Sequence, residues 1–140
     1  MAAEMLLSRK GILAVAAVID VALNSSEKPV SAKALANRHG LPPRHLEPVL
    51  QALVHEGILR GVRGPRGGYE LGREQQQIKA VDILRAAGTV DDGDDDRPPS
   101  TGLIGDVVLP ALAQAERTFA EALSQISIDQ LVRRAHTRSA

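Results

Sequence analysis

Residues 58–73 read Ile-Leu-Arg-Gly-Val-Arg-Gly-Pro-Arg-Gly-Gly-Tyr-Glu-Leu-Gly-Arg, two short apolar runs around a basic turn rich in glycine and proline. The pattern predicts a β-hairpin with a cationic tip. Gly64, Gly67 and Gly68 supply the positive φ values a tight reversal uses, and Pro65 stiffens it. Arg63 and Arg66 are thereby held out in water, as suits contact with phosphate or a minor groove. A solvated surface turn is the alternative, and the residues upstream decide between them.

Upstream, Ser31 caps a helix expected to run to about His39, with Ala34 and Leu35 inward and Gly40 as its stop. Leu41-Pro42-Pro43 makes a turn. A second helix is expected from about Arg44 to His55. Leu46, Val49, Leu50 and Leu53 fall on its buried stripe, and Arg44, Glu47, Pro48, Gln51 and His55 lie on the opposite face. Two short helices joined tightly, the second with a polar outer face and followed by a basic hairpin, form a winged helix-turn-helix. The expected fold is therefore mainly α with a small β-hairpin wing, an α+β class, extended by a long C-terminal dimerisation helix.

Four blocks carry a resemblance: Met5–Ser25, Val30–Leu53, Val62–Gly72 and Ile78–Gly88. They resemble consecutive stretches of the bacterial winged-helix regulators, of the Rrf-two type, typified by the iron–sulfur cluster regulator IscR and the nitric-oxide sensor NsrR. The most diagnostic piece is Arg63-Gly64-x-x-Gly67-Gly68-Tyr69-x-Leu71. The resemblance implies a homodimeric repressor or activator on a partly palindromic operator. It also puts Glu47 and Arg63 where the iron–sulfur regulator has DNA-reading residues. The family does not usually have proline where Pro48 stands, which puts the geometry of operator docking in question.

A second departure lies at the sensor. Cluster-holding members supply three cysteines from the loop before the dimerisation helix, and this sequence contains no cysteine. Neither a cysteine-held iron–sulfur cluster nor thiol–disulfide sensing is expected, and no cofactor is expected. In that place stands Val90-Asp-Asp-Gly-Asp-Asp-Asp-Arg-Pro-Pro-Ser-Thr-Gly102, which reads as a solvated acidic loop. A Ca²⁺ site is the sharper reading of the run. Counting from Asp91 puts Asp96 and Gly102 where an EF-hand loop has Gly and Glu, so the spacing opposes it.

Charge is zero overall but uneven. Residues 1–73 carry ten Lys and Arg against six Asp and Glu, hence +4, whereas residues 74–140 carry seven against eleven, hence −4. The basic half holds the expected DNA reader. With Tyr69 and Phe119 as the aromatics, the core must be built from Leu, Val, Ile and Ala. Arg9-Lys10 followed by the apolar run Gly11–Ile19 has the outline of an export signal, but Asp20 and the amphipathic continuation oppose it, and the run is too short to span a membrane. The reading is a buried first helix capped by Ser8, apolar almost all round, in a cytoplasmic protein without membrane contact.

Beyond Thr101, Val108, Leu112, Ala115, Phe119, Ala122 and Ile126 follow a heptad-like spacing and make the expected dimerisation seam. Pro110 marks a kink or the first turn. Ser127-Ile-Asp-Gln130 looks like a capping box opening a short helix to about Ala135, with a frayed tail from His136. The expected organisation is a winged domain over 1–88, an acidic loop over 89–102, a dimerisation helix and C-terminal helix over 103–136, and a tail over 137–140.

The expected partners are double-stranded DNA, a second copy of the chain, and an unidentified small-molecule or protein effector. Pro43, Arg44, His45, Glu47 and Gln51 are the candidate recognition-helix residues. Arg44 suits guanine, Gln51 adenine and Glu47 the N4 amine of cytosine. Arg63, Arg66 and Gly67 are the wing candidates, and Arg9, Lys10, Lys33 and Arg38 the phosphate candidates. The four histidines show no i, i+3 or i, i+4 pair, so no metal site is expected. An enzyme is not expected, because no nucleophile–base pair or phosphate-binding glycine loop is present. The rival reading is a winged helix turned protein-interaction module that has lost sequence-specific DNA binding.

Overall fold

The computed structural model describes residues 9–90, 106–107 and 109–139. The expected Ser8 cap, the Asp91–Asp96 run and Val108 lie outside them, as do the side chains of Arg9 and Leu112. The order is α1 (Arg9–Asn24), α2 (Ala32–His39), α3 (Pro43–His55), β1 (Leu59–Val62), β2 (Gly68–Leu71), α4 (Ala80–Gly88), α5 (Leu109–Leu123) and α6 (Ile128–Ser139). A single 3-10 turn at Gln75–Gln77 precedes α4.

Local chemistry sets the helix-turn-helix. Ser31 Oγ accepts from the Ala34 N–H at 3.0 Å, fixing the start of α2. Gly40 ends it at φ +64°, in the left-handed region that favours glycine, and the Leu41 N–H returns to the Ala36 carbonyl at 2.9 Å. Pro43 then occupies the first turn of α3, where its fixed φ suits a helix start and its missing N–H costs no internal bond. The helix runs on through Pro48 to His55. Its stripe of Leu46, Val49, Leu50 and Leu53 is buried as the spacing predicts.

The hairpin pairs antiparallel with Leu59 opposite Leu71, Arg60 opposite Glu70, Gly61 opposite Tyr69 and Val62 opposite Gly68. Val30 extends it: the Val30 N–H donates to the Tyr69 carbonyl at 2.9 Å and the Tyr69 N–H to the Val30 carbonyl at 2.7 Å. The wing is therefore pinned to the chain just ahead of α2.

The core combines Val18 and Val21 of α1, Leu35 of α2, the α3 stripe, Ile58 and Leu59, and Ile78 and Ile83 around α4. It also takes Ile128 and Val132 from α6, so the last helix packs into the winged domain. A backbone clasp holds the contact, with the Ala80 N–H donating to the Ile126 carbonyl and the Ile128 N–H to the Ile78 carbonyl, both at 2.9 Å. The capping box at its start forms as expected: Ser127 Oγ accepts from the Gln130 N–H at 3.3 Å, and Gln130 Oε1 from the Ser127 N–H at 3.4 Å. α6 also outlasts its expected end at Ala135. An Asp129–Arg133 pair one turn apart supports it, and His136 and Arg138 sit favourably in its last turn.

Two further expectations are corrected. α1 is buried less completely than expected: Ala14, Ala17, Val18 and Val21 are covered and Val15, Ile19, Ala22 and Leu23 pack part-buried against the core, while Ile12 stands 57 % exposed. Ile126 is not on the long helix, because α5 stops at Leu123 and Ile126 lies in the connection to α6.

Candidate nucleic-acid interface

The outer face of α3 and the tip of the hairpin lie close in the chain and are both open to solvent. Pro43, Arg44, His45, Glu47, Pro48, Gln51 and His55 are all exposed, as are Arg63, Pro65 and Arg66 at the hairpin tip. Among the described residues neither Arg63 nor Arg66 has a hydrogen-bond or ion-pair partner, and a guanidinium fork suits planar oxyanions.

The tip is shaped by glycine for two different reasons. Gly64 turns the chain at φ +113°, and the Gly67 N–H closes the turn on the Gly64 carbonyl at 2.9 Å. Gly67 itself, expected to need positive φ, does not adopt it. It is glycine for lack of space: a Cβ there would stand 2.2 Å from the Val62 carbonyl oxygen. At Gly68 a Cβ would meet the Val30 carbonyl oxygen at 2.4 Å, so the pinning of the wing to Val30 also depends on a bare backbone.

Tyr69 packs half-buried against the core. Burial, aided by the negative charge of Glu47, raises its phenol above the ordinary value. It is thus a neutral hydroxyl at physiological pH. On the hairpin's side, Arg60 Nε donates to Glu70 Oε1 at 2.9 Å, a directly opposed cross-strand pair. The alternation of the two strands carried that signal, which the sequence reading did not use.

The phosphate candidates divide. Lys33 is exposed in the first turn of α2. Lys10 turns its ammonium to the Val90 carbonyl, tying α1 to the end of α4. Arg38 serves an internal clamp that sequence reasoning missed. Asp20 of α1 is 6 % exposed and receives Arg38 Nε at 2.8 Å and Nη2 at 2.6 Å, with His39 Nε2 at 3.1 Å and Asn24 Nδ2 at 3.1 Å. Burial pushes the Asp20 carboxyl up, but the hydrogen bonds and charge of Arg38, with Asn24 and His39, outweigh it and hold the group below its ordinary value. An acid within an otherwise apolar helix was the available signal.

On α5, Ala115 and Ala122 are exposed, Phe119 is half-buried and Ala120 is buried. The helix is amphipathic, and among the described residues Ala120 is its one buried side chain. Among the described residues no group of three or more His, Cys, Asp and Glu is placed to hold a metal, and no helix is long and apolar enough to cross a membrane.

Comparison with known proteins agrees with this architecture. Residues 7–134 match the family described as "Rrf2: Iron-dependent Transcriptional regulator". The HTH-type transcriptional regulator IscR of Cronobacter sakazakii is 40 % identical over 82 residues, 59 % of this chain and 51 % of the relative. That of Escherichia coli O139:H28 is 39 % identical over 82 residues. The chain spans about half the length of the curated relatives it matches. Among solved structures, T. potens IscR superposes with TM-score 0.70 at 30 % identity, covering 94 % of this chain and 89 % of that one. CymR, titled the global cysteine regulator of B. subtilis, does so with TM-score 0.66 at 25 % identity, covering 90 % and 95 %. These relatives are transcriptional regulators rather than enzymes. The chain belongs to the Rrf2 family of transcriptional regulators.

Proposed function

We propose that this chain is a cytoplasmic, DNA-binding transcriptional repressor that works as a homodimer on a dyad-symmetric operator and needs no cysteine-held iron–sulfur cluster. The observation that carries the reading is the joint exposure of the polar face of α3 and the arginine-tipped wing on one rigid domain. In the major groove, Arg44 reads guanine and Gln51 adenine, while Glu47 accepts from the N4 amine of cytosine and repels other bases. Each good pair is worth about 1–3 kcal/mol of discrimination. His45 and Pro43 border this face. Arg63 and Arg66, with the backbone at Gly67, engage phosphate or the minor groove, and Lys33 adds a phosphate contact at the start of α2. Arg9 and Lys10 are weaker candidates, Lys10 because its ammonium already serves Val90.

Pairing through α5 supports the dimer. Among the described residues Ala115 and Ala122 of its seam are exposed and Phe119 is half-buried, the sequence spacing extends the seam to Val108 and Leu112, and two copies would bring two recognition helices to half-sites about one helical turn apart. Ile126 lies beyond the helix and contributes at most to the edge of this contact. The absence of cysteine among the 140 residues supports regulation by a signal other than the cluster of its relatives. Selection of genomic fragments by the purified protein tests this reading. A recovered motif with two-fold symmetry is the expected result, and an unenriched pool or a motif without symmetry contradicts it.

A further inference from the structure

A cleft of about 210 Å³ opens where the end of α3, the foot of the hairpin and α4 meet. Its walls carry Glu56, Arg73, Asp82 and Arg85, and its apolar floor is formed by Ile58 and Ala86. The walls are fixed by backbone contacts: the Ile58 N–H donates to the Leu53 carbonyl and the Gly72 N–H to the Ile58 carbonyl, both at 2.9 Å. A Cβ on Gly72 would stand 2.5 Å from the Gly57 carbonyl oxygen, so the two strands of chain here cannot be spaced further by side chains. Arg73 lies over Gly57 and donates Nη2 to the Glu56 carbonyl at 2.7 Å, which aims its guanidinium while leaving other N–H groups unused. The Glu56 carboxylate and the Arg85 guanidinium have no partner among the described residues.

Two cations and two anions around an apolar floor do not suit an anion, a cation or a hydrocarbon alone. We propose that the cleft binds a small zwitterion of the α-amino acid class. The ligand's carboxylate sits on Arg73 and Arg85, its ammonium on Glu56 beside Asp82, whose Oδ2 also accepts from the Lys79 N–H at 3.4 Å, and a short side chain lies on Ile58 and Ala86. Because the walls come from the recognition helix, the wing and the helix leading to the arm, occupancy would stiffen the joint between the DNA-reading face and the dimerisation helix. That regulatory consequence rests on the function proposed above; binding itself does not.

The test is thermal unfolding and calorimetry of the full chain, without DNA, against the twenty L-amino acids. Acetate and methylammonium, separately, serve as single-charge controls. The expected result is saturable binding of at least one amino acid, absent for both controls, weakened at least about tenfold by Arg85→Ala and by Glu56→Gln. Both variants alter exposed side chains, and their unfolding midpoints without ligand report whether the fold is retained. No amino acid binding up to about 10 mM, or binding indifferent to both substitutions, overturns the assignment. Since DNA is absent, either failure leaves DNA binding untouched.

Discussion

The two C-terminal helices invert the simplest expectation from hydropathy. α5 is the more apolar, Leu-Pro-Ala-Leu-Ala-Gln-Ala at its start, yet Ala120 is its sole buried residue among those described. α6 carries Arg133, Arg134, His136 and Arg138, yet drives Ile128 and Val132 into the core of the winged domain. Mean composition does not separate the two: the backbone bonds from Ala80 to Ile126 and from Ile128 to Ile78 hold the start of α6 against the winged domain, and two apolar anchors complete the contact. An apolar helix that the described residues leave largely open suits the proposed pairing, whereas a charged helix with two buried anchors belongs to the fold.

The sharpest way to break this contrast is to truncate the α6 anchor. Ile128 is fully buried, so Ile128→Ala should destabilise the protein by about 2–5 kcal/mol in chemical denaturation, by lost burial and the cavity left behind. A change below about 1 kcal/mol would mean that α6 is peripheral. The matching cut on α5 should act on assembly instead. Phe119→Ala is expected to weaken self-association by about 2 kcal/mol or more, roughly thirtyfold, in sedimentation equilibrium, with a smaller loss of monomer stability. Equal effects on both quantities would erase the distinction between the helices.

A third test separates the winged half by pH. The Asp20 carboxyl is held below its ordinary value near 3.8, so its contribution is complete above that value and is lost as pH falls through the depressed one. Asp20→Asn should destabilise near neutral pH by about 1–2 kcal/mol. The figure is discounted from the roughly 3–5 kcal/mol of a fully buried pair because Arg38 remains 45 % exposed. The variant's stability should fall less steeply below about pH 4. An unchanged acid limb in urea melts would contradict the clamp. The smallest expected effect is at Ser127, whose Oγ opens α6: Ser127→Ala should cost about 1 kcal/mol in the same melts.

Much of this architecture is legible in local sequence chemistry. Ser31, Gly40, Pro43 and the α3 stripe specify the helix-turn-helix through capping, φ preference and period, all of which act within a few residues. The hairpin is equally local. What escaped depends on distant partners. The Asp20 clamp joins residues 18 and 19 positions apart, and the Val30–Tyr69 bridge spans the domain. α4 was legible as a family block rather than as a helix that fills the core with Ile83, Leu84 and Ala87. Gly67 shows the same limit at small scale: its need for glycine comes from the Val62 carbonyl across the turn, which no single-residue preference encodes. The exposed faces of α3 and the wing were foreseen because exposure follows from helical period and turn position; which bases they read depends on a partner outside the chain.

The most direct test of the account is titration of the selected duplex across a salt series with the wild-type protein and Arg63→Ala. A DNA-reading wing gives a steep linear fall of log affinity with log salt, weaker binding by the variant, and a slope smaller by about one, as expected for the loss of one phosphate contact. A shallow salt dependence, or a variant indistinguishable from wild type, would contradict a DNA-reading wing.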